Sequence, residues 1–223
     1  MAIERQLRQL TKHSPGASLR RITTTAVVLL LPMVACAAPS TQIFRAQLMS
    51  LNAPVGGGAA GTVTLTINDD TLTIKADVTG LSPAMHMIHI HGFVAGDKAA
   101  TCAGAAQDKD GDGIIDVIET EPVSGITLIP FDEQPAALVI PSDTYPRANA
   151  SGAFHYRATV SLTDLNAALK KQFGIDSVHL DKRVIYVHGI ADSSHLPPTV
   201  HSLPGVPAKV TLPVACGVIR ASR

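Results

Sequence analysis

The sequence predicts an all-β fold, an antiparallel barrel or sandwich. Three observations predict it. Residues 62–69, TVTLTIND, alternate strictly, with Val63, Leu65 and Ile67 on one face and threonines on the other. Residues 71–81, TLTIKADVTGL, alternate again after a turn at Asp69-Asp70. Four strand-like runs follow one another between residues 43 and 93 with short connections, which is the pattern of antiparallel neighbours rather than of βαβ units.

In chain order, residues 1–24 are polar and basic, with Arg20-Arg21 near their end, and residues 24–36, TTAVVLLLPMVAC, form an apolar run too short to span a bilayer comfortably. Residues 1–36 therefore read as a secretory signal. Two cleavage readings stand open. MVAC resembles a bacterial lipobox, which makes Cys36 a lipidated first residue; ACA, Ala35 to Ala37, suits ordinary signal peptidase. Residues 37–41 are a polar tether, and the β-domain is expected over 42–220.

Residues 43–52 read as the first strand and the Gly-rich 53–61 as a turn. Residues 84–93 are the fourth run. From 94 to 150 the chain is rich in Gly, Ala, Asp and Pro and reads as long loops, which in a compact domain are usually functional. Residues 152–162 restore a strand. Residues 163–174 carry an N-cap candidate, Thr163, apolar Leu165, Ala168 and Leu169, and a stop at Gly174, so a short helix is expected. A strand at 183–190, a loop at 191–205 and a last strand at 208–219 complete the domain.

The 223 residues carry zero formal net charge and no Trp, and 46% are hydrophobic, enough for one globular core. Without a basic aromatic patch there is no reason to expect a nucleic-acid partner, and membrane contact is expected only through a lipid on Cys36. Export implies an oxidising compartment. With Cys36 lipidated or removed, Cys102 and Cys216 remain, as a bridge or as two buried thiols.

Chemistry concentrates in residues 85–93, MHMIHIHGF, which hold three of the nine histidines. On a strand, His89 and His91 leave the same face, and His86 leaves the opposite one. Such a pair is half of a copper or zinc site, or else two hydrogen-bonded, partly buried histidines. His188, near the end of the 183–190 strand, is the candidate third nitrogen, and a three-nitrogen set suits copper.

At these residues the chain resembles the copper/zinc superoxide dismutase family. The family's strand-borne His-x-x-His-x-His is matched by His86, His89 and His91, with Cys102 following. Its Arg-x-x-x-x-His strand and trailing aspartate are matched by Arg183, His188 and Asp192. Its Ala-Cys-Gly-Val-Ile ending is matched by Ala215 to Ile219, with Cys216. The resemblance implies a Greek-key β-barrel with His89, His91 and His188 as copper ligands. It implies His86 as a structural histidine, Asp192 as a brace on a ligand imidazole, and a Cys102–Cys216 bridge. The chain departs from the family in three respects. It has no histidine between His91 and His155, so zinc and a fourth copper ligand are not expected. Pro213 stands where the family has the arginine that guides superoxide. Met85 and Met87 share the parity of His89 and His91 and are assigned to packing. His179, His195 and His201 are assigned to surface or loops, while His155, on the 152–162 strand, could return toward the site, although no spacing argument brings it there.

Residues 108–119, DKDGDGIIDVIE, fit the calcium-loop pattern D-x-D-x-D-G-x5-E. Asp108, Asp110 and Asp112 supply side-chain oxygens, Gly113 the turn and Ile114 a carbonyl. Asp116 acts directly or through water, and Glu119 closes the shell. A solvated acidic turn is the competing reading. The short flanks and Pro122 argue against a helix-loop-helix pair. The segment stands where the dismutase family keeps its zinc loop, so calcium is expected to organise this one. The chain is also similar to the CHRD domain, a β module of extracellular proteins, through its Gly-Leu…His-x-His-Gly stretch at about 60–93. Two functions follow. One is an exported copper-binding dismutase-like protein whose partners are small molecules or metal ions. The other is a non-enzymatic calcium-binding β-domain. A hydrolase has no nucleophile–base pair here to support it.

Overall fold

A computed structural model describes residues 40–95 and 98–222. The signal segment and Cys36 lie outside the described residues. Nine strands form one antiparallel sheet: β1 (Gln42–Ser50), β2 (Ala60–Asn68), β3 (Thr71–Thr79), β4 (Met87–Gly92), β5 (Ile126–Pro130), β6 (Phe154–Ser161), β7 (Val184–His188), β8 (Pro213–Val218) and β9 (Arg220–Ala221). The order is β5-β4-β7-β8-β1-β2-β3-β6, with β9 beside β1. The chain crosses from β3 to the far half of the sheet and returns, so β6 lies beside β3 and β7 beside β4. These are the Greek-key connections expected of the fold.

The two halves of the sheet are buried differently. In β1, β2, β3 and β6 apolar residues alternate with more exposed ones, as one-sided strands should. Val63, Leu65, Leu72, Ile74, Ala76 and Val78 point into the main core. In β4, β7 and β8 nearly every residue is buried. Ile88, Ile90, Ile185 and Val187 face the core, while Val184, Tyr186 and Cys216 form a second cluster with Ala100. That outer face is covered by the connections the sequence left as loops.

Four short helices complete the fold: α1 (Ala53–Gly56), α2 (Val117–Ser124), α3 (Leu162–Phe173) and α4 (Ala208–Thr211). They correct the sequence reading in detail. The Gly-rich turn contains α1. The 94–150 region is not all loop: α2 runs through Pro122, because Asp116 caps its first turn and Gly125 closes its last. Gly125 sits at φ 70°, and a Cβ there would lie 2.1 Å from the Gly92 carbonyl oxygen, so glycine alone lets the helix end meet β4. β5 follows as an edge strand ending in proline. α3 is the expected helix, but its cap is Ser161, whose hydroxyl accepts the Asp164 N–H. Thr163 instead gives its N–H and hydroxyl to Asp70. The last strand begins at Pro213, since Ala208–Thr211 turn helically after Pro207.

Cys102 and Cys216 form a disulfide across a sequence separation of 114. It ties the covering segment to β8 beside Tyr186, which Cys216 faces in the ladder.

Candidate metal centre

Strand pairing builds the site. β4 and β7 run antiparallel with Met87 opposite His188 and His89 opposite Tyr186. Opposed residues share a face, so His89, His91 and His188 all leave the outer face of the sheet while their neighbours enter the core. They are 2%, 3% and 2% exposed. Their ring centroids form a triangle of 5.7 Å (His89–His91), 5.2 Å (His89–His188) and 5.6 Å (His91–His188). One ring nitrogen from each lies within 4.8 Å of the other two.

Hydrogen bonds select which nitrogens point inward. His188 Nδ1 donates to the Thr211 carbonyl at 2.7 Å, which leaves Nε2 with a free lone pair. His91 Nε2 meets the Thr127 hydroxyl at 3.2 Å, which leaves Nδ1 free. Both nitrogens of His89 are buried without a partner. Burial holds all three rings neutral. It drives His89 well below the usual histidine value, with His188 and His91 adding repulsion. It lowers His91 to about 3 and His188 to about 4. Four buried nitrogens without partners cost about 1–3 kcal/mol each unless something accepts their lone pairs or supplies an acceptor. Neutral imidazoles facing one point are the donor set a borderline-soft cation requires, so the residues fit a copper-type ion.

Two tyrosines wall the triangle. Tyr145 stands edge-on to His89 at 5.2 Å, and Tyr186 tilts over His91 at 5.0 Å. The Tyr186 hydroxyl accepts the Ala103 N–H and donates to Ser124, whose own hydroxyl donates to Thr101. Sequence reasoning missed both. Tyr186 carried a signal, being two residues from His188 on one strand; Tyr145, in a Pro-rich loop, carried none.

The expected supports divide. His86 lies just before β4 and is buried, its Nδ1 against the His188 carbonyl at 3.1 Å and its Nε2 against the Ser82 carbonyl at 2.8 Å. It pins the end of β7 to the turn entering β4, as a structural histidine should. Arg183 is buried under Gly92 and donates to the Phe93 and Val178 carbonyls. Asp192 is not a brace. Its carboxylate accepts the N–H and hydroxyl of Ser194 in an exposed turn, and the Thr211 carbonyl orients His188 in its place. A backbone acceptor leaves no trace in a side-chain motif.

Of the calcium set, Asp108, Asp110 and Asp112 come together. Gly113 takes φ 84° as the turn requires. Asp108 accepts the Gly111 and Gly113 N–H groups, and Asp112 accepts the Ile114 N–H and the Thr199 hydroxyl. Asp116 and Glu119 do not join them. Asp116 is buried, caps α2 and accepts the His201 N–H at 2.6 Å. Glu119 accepts the Lys109 and Asp116 N–H groups, so its oxygens serve the loop's own backbone. Ile114 is buried in the main core. Asn52, left-handed at φ 56°, clamps this segment: its amide donates to the Ile115 and Pro213 carbonyls and accepts the Ile115 N–H. His155 pairs with Asp77 on the surface, away from the triangle. Among the described residues no helix is long and apolar enough to cross a membrane.

No curated protein sequence matches the chain. A solved Cu/Zn superoxide dismutase from Brucella abortus is 20% identical over 80% of this chain and 99% of its own, with a TM-score of 0.43. Residues 44–138 match the CHRD domain family, a longer stretch than the 60–93 segment that first suggested it. The CHRD match ends ahead of the strand that carries His188.

Proposed function

We propose that residues 42–220 form an exported copper-binding domain of dismutase-like fold. His89, His91 and His188 hold the metal, and a calcium ion at Asp108, Asp110 and Asp112 stiffens the covering loop. One observation carries the copper reading: four buried ring nitrogens without partners, on three neutral rings that face one another. Copper held there would supply a one-electron couple. The Thr211 carbonyl orients the His188 ring for it, and Tyr145 and Tyr186 wall the ligand rings from water.

The same enclosure favours metal binding over fast dismutation. Superoxide must reach the metal, and the ligand rings are shut from solvent. Pro213, buried in β8, offers no charge to draw an anion in. The export signal over 1–36, with lipidation at Cys36 or cleavage at Ala37, remains part of this reading, and the disulfide suits an oxidising compartment. A second reading, a CHRD-like calcium-binding domain without enzymatic activity, is favoured by a CHRD match that includes the acidic loop but stops short of His188.

Metal counting separates the two. The mature protein, exposed to copper and calcium and then desalted, should retain about one copper per chain, and His188→Ala should retain none. Calcium without copper would establish the second reading and make the histidines structural. A superoxide assay on the copper-loaded protein then measures how much turnover survives.

A further inference from the structure

We infer that the histidine triangle is built for copper(I) and discriminates against copper(II). The inference rests on the copper reading above and adds the oxidation state the site selects.

Three features point the same way. The first is ligand number. Among the described residues, the histidine, cysteine and carboxylate side chains gathered at this position are the three histidines, and no carboxylate or thiolate joins them. Three imidazoles make a trigonal set, which a d10 ion accepts. Copper(II) favours a tetragonal set of nitrogen and oxygen ligands, and here the flanks of the triangle are taken by the Tyr145 and Tyr186 rings.

The second feature is charge. The rings are buried, no carboxylate joins them, and carboxylates of the flanking segments are committed elsewhere. Asp192 is turned onto Ser194, and Asp116 caps α2 and holds His201. Asp132 accepts the Gln134 N–H. An ion here therefore has no carboxylate among its ligands to offset its charge. The self-energy of a buried ion grows with the square of its charge, so a dication costs about four times as much as a monocation in the same pocket.

The third is rigidity. His89 and His91 are fixed by pairing on both sides of β4, and His188 by the Thr211 carbonyl behind it and by β7–β4 pairing. The set cannot easily open to admit a fourth ligand, so the preference is held by packing as well as by charge.

The test compares the two ions on the full mature protein. Copper(I) affinity is measured anaerobically against bicinchoninate, and copper(II) affinity against nitrilotriacetate. Copper(I) should bind at least about tenfold more tightly than copper(II), and protein loaded anaerobically with copper(I), freed of reductant and then exposed to air should stay silent in electron paramagnetic resonance. Equal or tighter copper(II) binding would overturn the inference while leaving a copper site. No binding of either ion would overturn the copper reading, and the inference with it. A second variant checks the cause. Met87 faces His188 directly across the ladder, and Met87→His brings a fourth imidazole to that face. It should raise copper(II) affinity at least tenfold, narrow the ratio and give a tetragonal spectrum. An unchanged ratio would show that ligand number does not set the preference.

Discussion

The histidine triangle and the aspartate triad are both groups of three metal-ligating side chains, yet they differ in what fixes them. The histidines stand on paired strands, so the ladder sets their separation before any ion arrives, and their inward nitrogens bond to nothing. The aspartates stand on a surface loop, and their oxygens already accept backbone N–H groups and the Thr199 hydroxyl. The first arrangement is costly when empty and gains by binding. The second is content when empty, and an ion must compete with bonds already made. A spacing motif reports residue types equally well in both cases but says nothing of this difference.

The disulfide joins the two regions, and breaking it should have the largest effect. Cys102 begins the segment that carries the aspartates, and Cys216 lies beside Tyr186 under the histidines. Cross-linking a separation of 114 residues is worth about 4–5 kcal/mol on the chain-entropy account. Cys102→Ser with Cys216→Ser should lower unfolding free energy by roughly that amount in urea titration. Protease cutting should rise in residues 98–130 while β1–β3 stay protected. A loss under ~1 kcal/mol would mean that the cover is held by its hydrogen bonds alone.

Acid should then separate the two sites. The three histidines titrate lower in the fold than in an open chain, so unfolding takes up protons. In the metal-free protein this penalty is absent above about pH 6.5. It grows as pH falls toward the folded values, at up to ~1.4 kcal/mol per pH unit for each histidine. Stability of the metal-free domain should fall steeply between pH 6.5 and 4, and His188→Ala should flatten the slope by about one proton. A slope that ignores His188→Ala would place the acid sensitivity elsewhere.

What was legible in the sequence follows the same division. Alternation in residues 62–81 fixed β2 and β3 because those strands are wet on one face. β5 escaped notice because ITLIP is short, edge-placed and set among prolines and glycines. His89 and His91 were legible because strand parity puts them on one face, and His188 was legible as their partner only through the resemblance, since the β4–β7 register that brings it beside them is not written in either strand. Asp192 misled, since its spacing matched a motif while its carboxylate had a nearer partner in Ser194. The aspartates were legible as a pattern, but Asp116 and Glu119 serve as helix cap and capping-box partner, uses the pattern does not encode.

Calcium should have a moderate effect confined to the loop. Its addition should slow protease cutting between 103 and 130, and Asp108→Asn should remove that protection without changing copper retention. Equal cutting with and without calcium would leave the segment a self-bonded acidic turn.

The smallest effect tests whether the two sites communicate. Asp116 holds the His201 N–H. The next residue, Ser202, donates to the Val206 carbonyl, so it accepts from the Thr211 hydroxyl at 2.7 Å. The Thr211 carbonyl in turn holds His188 Nδ1. Three hydrogen bonds, joined through the His201–Ser202 peptide, thus run from the cap of α2 to a ring of the triangle. Ser202→Ala removes the middle of that chain without touching either site. Groups that orient a metal-binding histidine typically matter by 10–100-fold, and Ser202 acts one step further out. Its loss should weaken copper binding by up to about tenfold and leave calcium protection of the loop intact. If Ser202→Ala leaves copper affinity unchanged, Thr211 is fixed by its place between α4 and β8, and the two sites are independent neighbours. If calcium protection falls as well, the loop at 199–202 is the element they share.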